Sequence, residues 1–482
     1  MTSTAGVTEA TREKVTEIAQ SSQVSEMFNR QRDAYFNNPY PTLEERRRHL
    51  LALENLLRDN QDAIAEAIDK DFGGRSVHET QALELFSSID GLRDCRKKLK
   101  KWMKPQRRQV SIWFAGASNT VLPQPKGVVG IVVPWNYPLF LSMGPIANAL
   151  AAGNRCLVKM AANSQHLCRL LAELVAEKLP PETLTFLPGV SAAEFTDHPF
   201  DHLIFTGSPG VGKTVMKKAA EFLTPVTLEL GGKSPTIIAE DFDIKAAAER
   251  IVQSKLYNAG QTCVAPDYLF VPRHRVDEFI EQARRVVAKR YGRLETPDYT
   301  AIIDTRAYSR LLQTLDDAER KGARPISLLE GVQPDNDLQK IPPTLLLDVG
   351  DDMTVMQEEI FGPLLPIKPY ENLDDVLAFI NAKERPLALY LFSNDKKLQQ
   401  QVLTNTISGG VCINDCMMHP AQHDLPFGGI GNSGMGHYHG YEGFVEFSKL
   451  RPVFKQARLP GAALLAPPYG KLFDFLYKLM VK

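Results

Sequence analysis

A carboxylate and a thiol are the two residues most able to do chemistry together. Glu229 opens the segment Glu229-Leu-Gly-Gly-Lys-Ser-Pro, and Cys263 closes the segment Gly260-Gln-Thr-Cys263 further along the chain. A glutamate at a Gly-Gly turn can act as a general base, and a cysteine in a polar loop can act as a nucleophile. The pair predicts covalent catalysis, so the rest of the chain must deliver a reactant to the thiol and shield it from water.

Length and composition limit the classes of protein to which the chain can belong. Its 482 residues exceed what one core usually organises, so two or three domains are expected. Hydrophobic residues make up 44% and charged residues 23%, which is typical of a globular protein. The formal net charge of -1 gives no reason to expect a nucleic acid or an anionic membrane as a partner.

The cysteines and the N-terminus favour a reducing compartment. Disulfide frameworks belong to short secreted chains, whereas here the cysteines are few and widely spaced. The N-terminal residues lack the apolar segment of a secretory signal, so a cytoplasmic protein is expected. The six cysteines are Cys95, Cys156, Cys168, Cys263, Cys412 and Cys416.

Short apolar segments alternate with helical ones from Gly127 onward. Residues 7 to about 70 are predicted to be helical, with Thr42 capping one helix. After that, the alternation predicts parallel sheets covered by helices on both faces, with ligands bound beyond the carboxyl ends of the strands. It resumes after residue 235 and continues to about 415, which indicates a second α/β domain. The predicted strands are 128–133, 157–159, 185–187, 202–205, 226–230 and 236–238, and the predicted helices include 167–178 and 210–223.

One motif predicts a different function. The segment from Gly207 to Thr214, Gly-Ser-Pro-Gly-Val-Gly-Lys-Thr, satisfies the P-loop pattern between a predicted strand and a predicted helix. A nucleoside triphosphatase is therefore the alternative, with Asp241 or Asp348 available to hold magnesium. That hypothesis gives no role to Glu229 or Cys263, and a helix N-terminus also binds the pyrophosphate of a dinucleotide.

Taken together, the motifs identify a family. The chain resembles the aldehyde dehydrogenase superfamily over nearly its whole length, and its tail resembles the class 3 branch and coniferyl aldehyde dehydrogenases. The resemblance implies an α/β fold with two doubly wound parallel-sheet domains, a Rossmann-like cofactor domain and a catalytic domain, plus a small β oligomerisation arm. It rests on Pro134-Trp-Asn136-Tyr-Pro, Lys159, Phe205-Thr-Gly-Ser208, Glu229-Leu-Gly-Gly-Lys-Ser-Pro, Gly260-Gln-Thr-Cys263, Glu359-Ile-Phe361-Gly-Pro, and the tail segments from Gly410 to Asp415 and from Leu425 to Gly436.

The resemblance also implies where the domains lie. The dinucleotide-binding domain is expected at residues 1–108 and 127–230, and the catalytic domain at 231–424. The arm and the C-terminal tail are expected at 109–126 and 425–482, with a homodimer as the assembly. Within the arm, Val110, Ile112 and Phe114 alternate in a way that predicts a protruding strand pair.

The resemblance implies that Cys263 attacks the aldehyde carbon. It also implies that Asn136, together with the Cys263 amide, stabilises the oxyanion that forms. Glu229 activates the water that releases the acid, and the substrate is expected to be an apolar aldehyde. NAD is the implied cofactor, and its expected contacts are Trp135, Lys159, Gly207, Ser208, Gly212, Glu359 and Phe361.

Three further features of the sequence lead to predictions about the cofactor, metal binding and the C-terminus. Ala162 stands where many NAD-preferring relatives have a glutamate, so NADP tolerance is expected beside NAD use. Cys412, Cys416 and His419 are too few for a structural zinc site, so no metal is expected. The apolar residues Leu472, Phe475, Leu476 and Leu479 form one face of a short C-terminal helix that cannot span a bilayer. This face is expected to dock on a dimer partner or on the substrate entrance rather than on a membrane surface.

Overall fold

The structure is a computed structural model that describes residues 9–458 and 465–481, with side chains described from residue 23 onward. Short π or 3-10 turns at Thr80–Phe86, Ile112–Phe114, Tyr257–Gly260 and Arg273–Arg275 join some of the elements. The α-helices of the described residues are α1 Glu9–Asn37, α2 Leu43–Asp59, α3 Gln61–Phe72, α4 Val77–Glu79, α5 Ser87–Trp102, α6 Phe140–Ala152, α7 Gln165–Lys178, α8 Ala192–Thr196, α9 Pro209–Ala220, α10 Ile244–Leu256, α11 Val276–Arg290, α12 Thr305–Arg320, α13 Thr354–Gln357, α14 Leu373–Asn381, α15 Lys396–Asn405, α16 Gly440–Glu446 and α17 Lys471–Met480.

The strands form three sheets, of six, seven and three strands. The two larger sheets confirm the predicted α/β fold with two parallel-sheet units. The strands are β1 Gln106–Arg108, β2 Ser118–Pro125, β3 Val128–Val133, β4 Arg155–Met160, β5 Leu184–Phe186, β6 His202–Gly207, β7 Val226–Leu230, β8 Pro235–Ile238, β9 Tyr268–Pro272, β10 Arg324–Ser327, β11 Thr344–Leu347, β12 Leu364–Tyr370, β13 Ala388–Phe392, β14 Gly410–Ile413, β15 Gly434–Met435 and β16 Ser448–Lys455.

The six-stranded sheet has the order β15-β7-β6-β3-β4-β5 and is parallel except for β15. All residues of β3 and β4 are buried, because helices cover both faces, and such strands consist of continuous apolar segments. The chain runs from β3 outward to β5 and then returns to β6 on the other side of β3. This reversal opens a crevice at the carboxyl ends of β3 and β6, where ligands bind in doubly wound sheets.

The seven-stranded sheet has the order β10-β11-β12-β9-β8-β13-β14 and is parallel except for β10. The loop that carries Cys263 enters this sheet just before β9. Strand β7 of the first sheet ends at Leu230 and β8 of the second begins at Pro235, so Glu229 lies close to the connection between the two sheets.

The third sheet is antiparallel, with β2 between β1 and β16. The predicted strand pair is wrong over residues 110–114, where Ile112–Phe114 forms a 3-10 turn. Gly116 follows with a φ of +86°, which ends the turn and is incompatible with a continuous strand. The apparent alternation was misleading because Ile112, Trp113 and Phe114 are all exposed.

The predicted domain boundaries stay predictions, and two strands lie across them. Strand β1 precedes residue 109 yet belongs to the three-stranded sheet, and β15 lies after residue 425 yet pairs with β7 of the first sheet. Among the described residues, none of the helices combines the length and apolar character that a bilayer-spanning helix needs. All six cysteines fall within the described residues, and each is a free thiol.

Candidate active site

The structure brings the predicted carboxylate and thiol into contact. Glu229 is buried on β7, and its Oε1 atom accepts a hydrogen bond from the Cys263 Sγ at 3.9 Å. Burial raises the pKa of the Glu229 carboxyl to about 7, which is the range that suits a general base at neutral pH. Burial, and then the negative charges of Glu229 and Glu359, raise the pKa of the Cys263 thiol well above its usual value. The thiol is therefore protonated at rest and needs a base.

Two hydroxyl groups hold the other oxygen of Glu229. Tyr438 Oη donates to Oε2 at 2.6 Å, and Thr206 Oγ1 donates to the same atom at 3.3 Å. Tyr438 reaches this position because β15 pairs with β7 and residue 438 forms a bridge with Phe427. Tyr438 could not be predicted from the sequence, since its spacing from Glu229 follows no motif and only the strand pairing brings the two together.

The loop before the thiol has an uncommon backbone. Asn258, Ala259 and Gly260 have φ values of +53°, +51° and +79°, so three successive residues are left-handed. A Cβ atom on Gly260 would lie 2.2 Å from the carbonyl oxygen of Gly362, so only glycine fits there. Strained backbone of this kind persists where surrounding contacts fix it, and it turns Cys263 toward the site.

Gln261 explains the second residue of the Gly-Gln-Thr-Cys segment. Its Nε2 donates to the carbonyl oxygens of Asn258 and Ala301 at 2.9 and 3.0 Å, and its Oε1 accepts from the Ile303 amide at 3.0 Å. The fully buried amide thus fastens the loop to the chain near residue 302. Gln261 is structural support for Cys263 and does not border the cavities described below.

Asn136 is fixed beside this loop. Its Nδ2 donates to the Gln261 carbonyl at 3.2 Å, while its own carbonyl oxygen accepts from Arg75 Nη1 and Asn258 Nδ2, both at 3.0 Å. Arg75 forms a fully buried ion pair with Glu84 at 3.5 Å. The predicted oxyanion donor is therefore held by a network that begins on the N-terminal helices.

Two cavities meet at the thiol and the carboxylate. The wide cleft, with a volume of about 430 Å³, lies at the crevice between β3 and β6, and the narrow cavity has a volume of about 90 Å³. Glu229 and Cys263 line both. The other residues of the wide cleft are Pro134, Trp135, Asn136, Thr206, Gly207, Ser208, Pro209, Gly231, Ala307, Arg310, Glu358, Glu359 and Phe361, and those of the narrow cavity are Leu83, Ser87, Tyr137, Phe140, Leu141, Thr262, Val264, Met417, Pro420, Ala421 and Phe427.

The predicted cofactor residues divide into those that line the wide cleft and those that do not. Gly207 and Ser208 lie at its edge, where Ser208 precedes the first turn of α9. Gly212 instead allows α9 to pack on β7, because a Cβ atom there would lie 2.7 Å from the Leu230 side chain. The rings of Trp135 and Phe361 meet edge to face in the cleft, with centroids 5.4 Å apart.

Glu359 turns into the same cleft. Its buried Oε1 atom has no hydrogen-bond partner within residues 9–458 and 465–481, and a Cβ atom on Gly231 would lie 2.1 Å from its Oε2. Burial raises the pKa of Glu359 to about 8, with a further contribution from Asp267. The cleft volume, the helix N-terminus and this free acceptor fit a dinucleotide, whose ribose hydroxyls are hydrogen-bond donors.

Lys233 and Asp267 hold the segment that carries Glu359 in place. Lys233 donates to the carbonyl oxygens of Val355 and Glu358 at 2.7 and 3.0 Å and also pairs with Asp267. Asp267 Oδ1 accepts from the Ile360 amide at 3.0 Å. These contacts give the lysine of the Gly-Gly-Lys segment a function in positioning Glu359, which sequence analysis did not assign.

Lys159 does not border the wide cleft. It lies near the end of β4, is almost fully buried, and burial lowers its pKa. Its predicted contact with a cofactor stays a prediction. Ala162 is exposed just beyond the end of β4, at the carboxyl edge of the sheet.

The geometry does not support the triphosphatase alternative. Strand β6 and helix α9 do flank the P-loop pattern, but Thr214 Oγ1 donates back to the Gly210 carbonyl at 3.3 Å. Asp241 follows β8 and accepts hydrogen bonds from Ser393 and from main-chain amides, and Asp348 follows β11. Both candidate magnesium ligands therefore belong to the other sheet.

No metal cluster is present in the part of the chain that the structure describes. The apolar side chains of Met417 and Phe427 line the narrow cavity, whereas those of Leu139 and Met143 do not. Arg310 was not predicted. It borders the wide cleft, where its Nη2 donates to the Ile360 carbonyl at 2.7 Å.

Comparison with known proteins identifies the family to which this site belongs. The sequence profile described as the aldehyde dehydrogenase family matches residues 2–453. The chain belongs to the aldehyde dehydrogenase family. This membership confirms the resemblance inferred from the motifs, and it makes the protein an enzyme of the aldehyde dehydrogenase class.

Individual aldehyde dehydrogenases agree with this assignment. A Pseudomonas aeruginosa relative named probable coniferyl aldehyde dehydrogenase is 53% identical over 466 residues, which cover 95% of this chain and 97% of the relative. Aldehyde dehydrogenase family 3 member A2 of Pongo abelii is 37% identical over 461 residues and 92% of each chain.

Solved structures show the same fold. Staphylococcus aureus AldH in its substrate-bound state superimposes with a TM-score of 0.89 and 35% identity, covering 95% of this chain and 99% of that one. The Mycobacterium tuberculosis aldehyde dehydrogenase complexed with NAD+ has a TM-score of 0.81 and 31% identity, covering 90% of each chain.

The hydroxyl group of Tyr438 affects the pKa of the Glu229 carboxyl. Donation from Tyr438 lowers the pKa of Glu229 against the effect of burial. The Tyr438→Phe variant removes one hydrogen bond to a charged group, which is worth about 1.5–3 kcal/mol, so the pKa should rise by about one to two units. The acidic limb of the pH profile of kcat/KM for aldehyde oxidation should move to higher pH by that amount.

The matched control is Tyr441→Phe, because the Tyr441 hydroxyl contacts Gln106 outside both cavities. Its pH profile should be that of the unmodified protein. An acidic limb that stays in place in Tyr438→Phe would contradict the role of this hydrogen bond.

Proposed function

We propose that this chain oxidises apolar aldehydes, aromatic or medium- to long-chain aliphatic, to carboxylic acids with NAD as cofactor. The observation that carries the proposal is that Glu229 and Cys263 border both cavities. One thiol therefore faces a space that fits a dinucleotide and a space that fits an apolar molecule. The family of the chain and an NAD+ complex among its structural relatives support the choice of reaction and cofactor.

The narrow cavity supports an uncharged, apolar substrate. Its wall includes the side chains of Leu83, Phe140, Leu141, Met417 and Phe427. Glu229 is the one charged residue among its lining residues, so the described wall offers no cation to a carboxylate or phosphate on the aldehyde. The name of the Pseudomonas aeruginosa relative favours an aromatic aldehyde of the coniferyl type.

In the first step, Glu229 takes the proton of the Cys263 thiol while the sulfur bonds to the aldehyde carbon. The high pKa of the thiol makes the proton transfer necessary, and the pKa of about 7 at Glu229 makes it feasible. The carbonyl π electrons move to oxygen and give a tetrahedral oxyanion.

Hydrogen-bond donors must lie where this negative charge develops. Asn136 Nδ2 and the main-chain amide of Cys263 supply them in our proposal, since Asn136 is buried and held rigidly beside the nucleophile loop. Because the Arg75 network holds the backbone of Asn136 in place, little reorganisation is needed during the reaction.

When bound, NAD would supply an acceptor for the hydride that the tetrahedral carbon loses, and Cys263 would then carry a thioester. Glu229 must first release the thiol proton to solvent. It then removes a proton from a water molecule, whose oxygen adds to the thioester carbon. The C–S bond breaks, the sulfur leaves, and the thiol regains a proton as the carboxylic acid departs.

The wide cleft supplies the cofactor contacts in this proposal. Glu359 Oε1 would accept from the nicotinamide ribose, and Gly207 and Ser208 would lie near the pyrophosphate at the N-terminus of α9. Phe361 would pack beside the nicotinamide, and Trp135 would line the site. We expect NADP to be tolerated, because Ala162 provides no carboxylate to repel a 2'-phosphate. Lys159 is expected near the adenosine ribose.

We also propose a cytoplasmic homodimer. Six free thiols suit a reducing compartment. The arm surface, defined as Ile112, Trp113, Phe114, Val453 and Phe454, exposes apolar side chains along the three-stranded sheet. In the described part of the chain, the edge strand β16 of this sheet has no partner strand on its outer side.

The first test is nucleotide reduction by the purified protein over a panel of aldehydes from acetaldehyde through decanal to benzaldehyde and coniferaldehyde. Activity should increase with the apolar size of the aldehyde because the narrow cavity is lined by apolar groups. It should disappear in Cys263→Ala. Equal rates in that variant, or no reduction with any aldehyde, would contradict the proposal.

The same assay with NADP in place of NAD tests cofactor tolerance. A loss of kcat/KM greater than about a thousandfold would contradict NADP tolerance, since it corresponds to about 4 kcal/mol of discrimination against NADP.

The second test separates thioester formation from its hydrolysis. Glu229→Gln should retain an initial burst of reduced nucleotide, while steady turnover falls by about a hundredfold or more, because a general base contributes that much to water attack. Rapid-mixing absorbance measurements at the reduced nicotinamide band follow both phases. The control is Glu319→Gln, an exposed carboxylate on α12, and it should turn over normally. Turnover of Glu229→Gln at the unmodified rate would refute the assignment.

Light scattering at micromolar concentration tests the assembly. The unmodified chain should have the mass of a dimer, and Ile112→Glu with Phe454→Glu should shift it to monomer by placing charge on the arm surface. Leu403→Glu, an exposed apolar position on α15, should leave the dimer intact. A monomer in the unmodified protein would exclude the homodimer.

A further inference from the structure

A third cavity, lined partly by polar side chains, lies next to the narrow cavity. It has no role in the reaction described above. It has a volume of about 20 Å³ and lies among α5, α6 and the segment from His423 to Gly440. Ser87 and Phe140 line both this polar cavity and the narrow cavity, so the two adjoin along the first turn of α5 and the start of α6. Neither Glu229 nor Cys263 borders it.

Four residues that line the polar cavity each carry a buried polar side-chain atom with no hydrogen-bond partner among the described residues. These atoms are Ser88 Oγ, Asp94 Oδ2, Asn148 Oδ1 and His439 Nδ1. Ser88, Asn148 and His439 are only 3%, 2% and 3% exposed. A buried polar atom without a partner costs about 1–3 kcal/mol, so four such atoms around one space indicate a polar group that occupies it.

Contacts of Asn148 and Asp94 with neighbouring residues determine which of their oxygen atoms is free. Asn148 Nδ2 donates to the Gly144 carbonyl at 3.0 Å, which leaves Oδ1 as the free acceptor. Asp94 pairs through Oδ1 with Lys98 at 3.0 Å, which leaves Oδ2 free. Burial lowers the pKa of His439 to about 3, so this imidazole is neutral and can accept or donate one hydrogen bond.

Size and chemistry identify the group that fits. A volume of about 20 Å³ accommodates one oxygen-sized group. Asn148 Oδ1 and Asp94 Oδ2 can only accept, so the occupant must donate hydrogen bonds. Ser88 and His439 can donate or accept, so they suit an occupant that also accepts. A hydroxyl group does both. Lys98 next to Asp94 disfavours a cation in the same space.

The wall between the two cavities is aromatic. The His439 ring stacks on Phe427 with centroids 5.6 Å apart and an interplanar angle of 21°, and it meets Phe140 at 5.8 Å. Phe427 and Phe140 also line the narrow cavity. A flat aromatic body in the narrow cavity would therefore lie against the rings behind which His439 is placed.

We propose that the polar cavity binds the distal hydroxyl group of a hydroxyaryl aldehyde whose carbonyl group lies at Cys263. This inference rests on the proposed function and names the substrate class within it. Asn148 or Asp94 accepts from the hydroxyl, and Ser88 or His439 donates to it. In the absence of substrate, a water molecule has the same hydrogen-bonding chemistry and fits the same space.

The experiment compares 4-hydroxycinnamaldehyde with 4-methylcinnamaldehyde, which has a similar size but no distal donor. At a pH where the phenol is neutral, kcat/KM of the unmodified enzyme should favour the hydroxyl compound by about tenfold, the effect of one or two buried hydrogen bonds. Ser88→Ala and Asn148→Ala should reduce this ratio toward one. Asn148→Asp, which keeps an acceptor oxygen, should retain more of the preference than Asn148→Ala.

The control is Ser448→Ala, a buried serine on β16 whose hydroxyl donates to the Phe444 carbonyl away from both cavities. Its ratio should equal that of the unmodified enzyme, and thermal unfolding should show which variants are folded. A ratio near one in the unmodified enzyme would overturn the inference. Equal slowing of both aldehydes in the folded Ser88→Ala and Asn148→Ala variants would also overturn it, because the cavity would then hold only a structural water.

Failure of the proposed function would look different. If neither aldehyde is oxidised, the proposed reaction is wrong, and calorimetric binding of 4-hydroxycinnamic acid against 4-methylcinnamic acid still decides the inference. Tighter binding of the hydroxyl acid that is lost in Ser88→Ala and Asn148→Ala would support it. Equal binding of the two acids would contradict it.

Discussion

The contact between the Cys263 thiol and the Glu229 carboxylate constrains everything around it. Glu229 is buried and Cys263 is partly buried, and burial raises the pKa of each, so the site resists holding two negative charges at once. The groups that contact the carboxylate are accordingly hydroxyl and thiol donors, from Tyr438, Thr206 and Cys263. In the proposed mechanism, one mobile proton is shared between Glu229 and Cys263, and the thiolate forms only as the sulfur bonds to the substrate.

The N-terminal helices stabilise that arrangement through one arginine. The Arg75 guanidinium lies 4.8 and 4.9 Å from the ring centroids of Phe72 and Tyr137, pairs with the fully buried Glu84, and also donates to Asn136 and Asn258. Removing one partner of a buried ion pair commonly costs about 3–5 kcal/mol, because the other charge is left without compensation. The N-terminal helices are thereby fixed to Asn136 and to the loop that carries Cys263.

Sequence alone predicted the parallel sheets because their strands are buried on both faces and are therefore continuous apolar segments. The strands 128–133 and 226–230 have the predicted bounds. It also predicted the contact of Glu229 with Cys263, since both lie in distinctive glycine-containing segments. It missed the two-residue strand β15 and Tyr438, whose positions depend on pairing with β7 rather than on local pattern. It failed at Ile112–Phe114 because an exposed turn can alternate like a strand.

The meeting of two cavities at a single sulfur has a consequence for chemical labelling. An electrophile small enough for either space can reach Cys263 from the side of β3 and β6 or from the side of Phe140 and Phe427. A molecule that fills one cavity leaves the other approach open, so a ligand of one side shields the thiol only from reagents that enter there. Complete protection against alkylation requires both spaces to be occupied, which makes the pattern of protection a report on which cavity a given compound has entered.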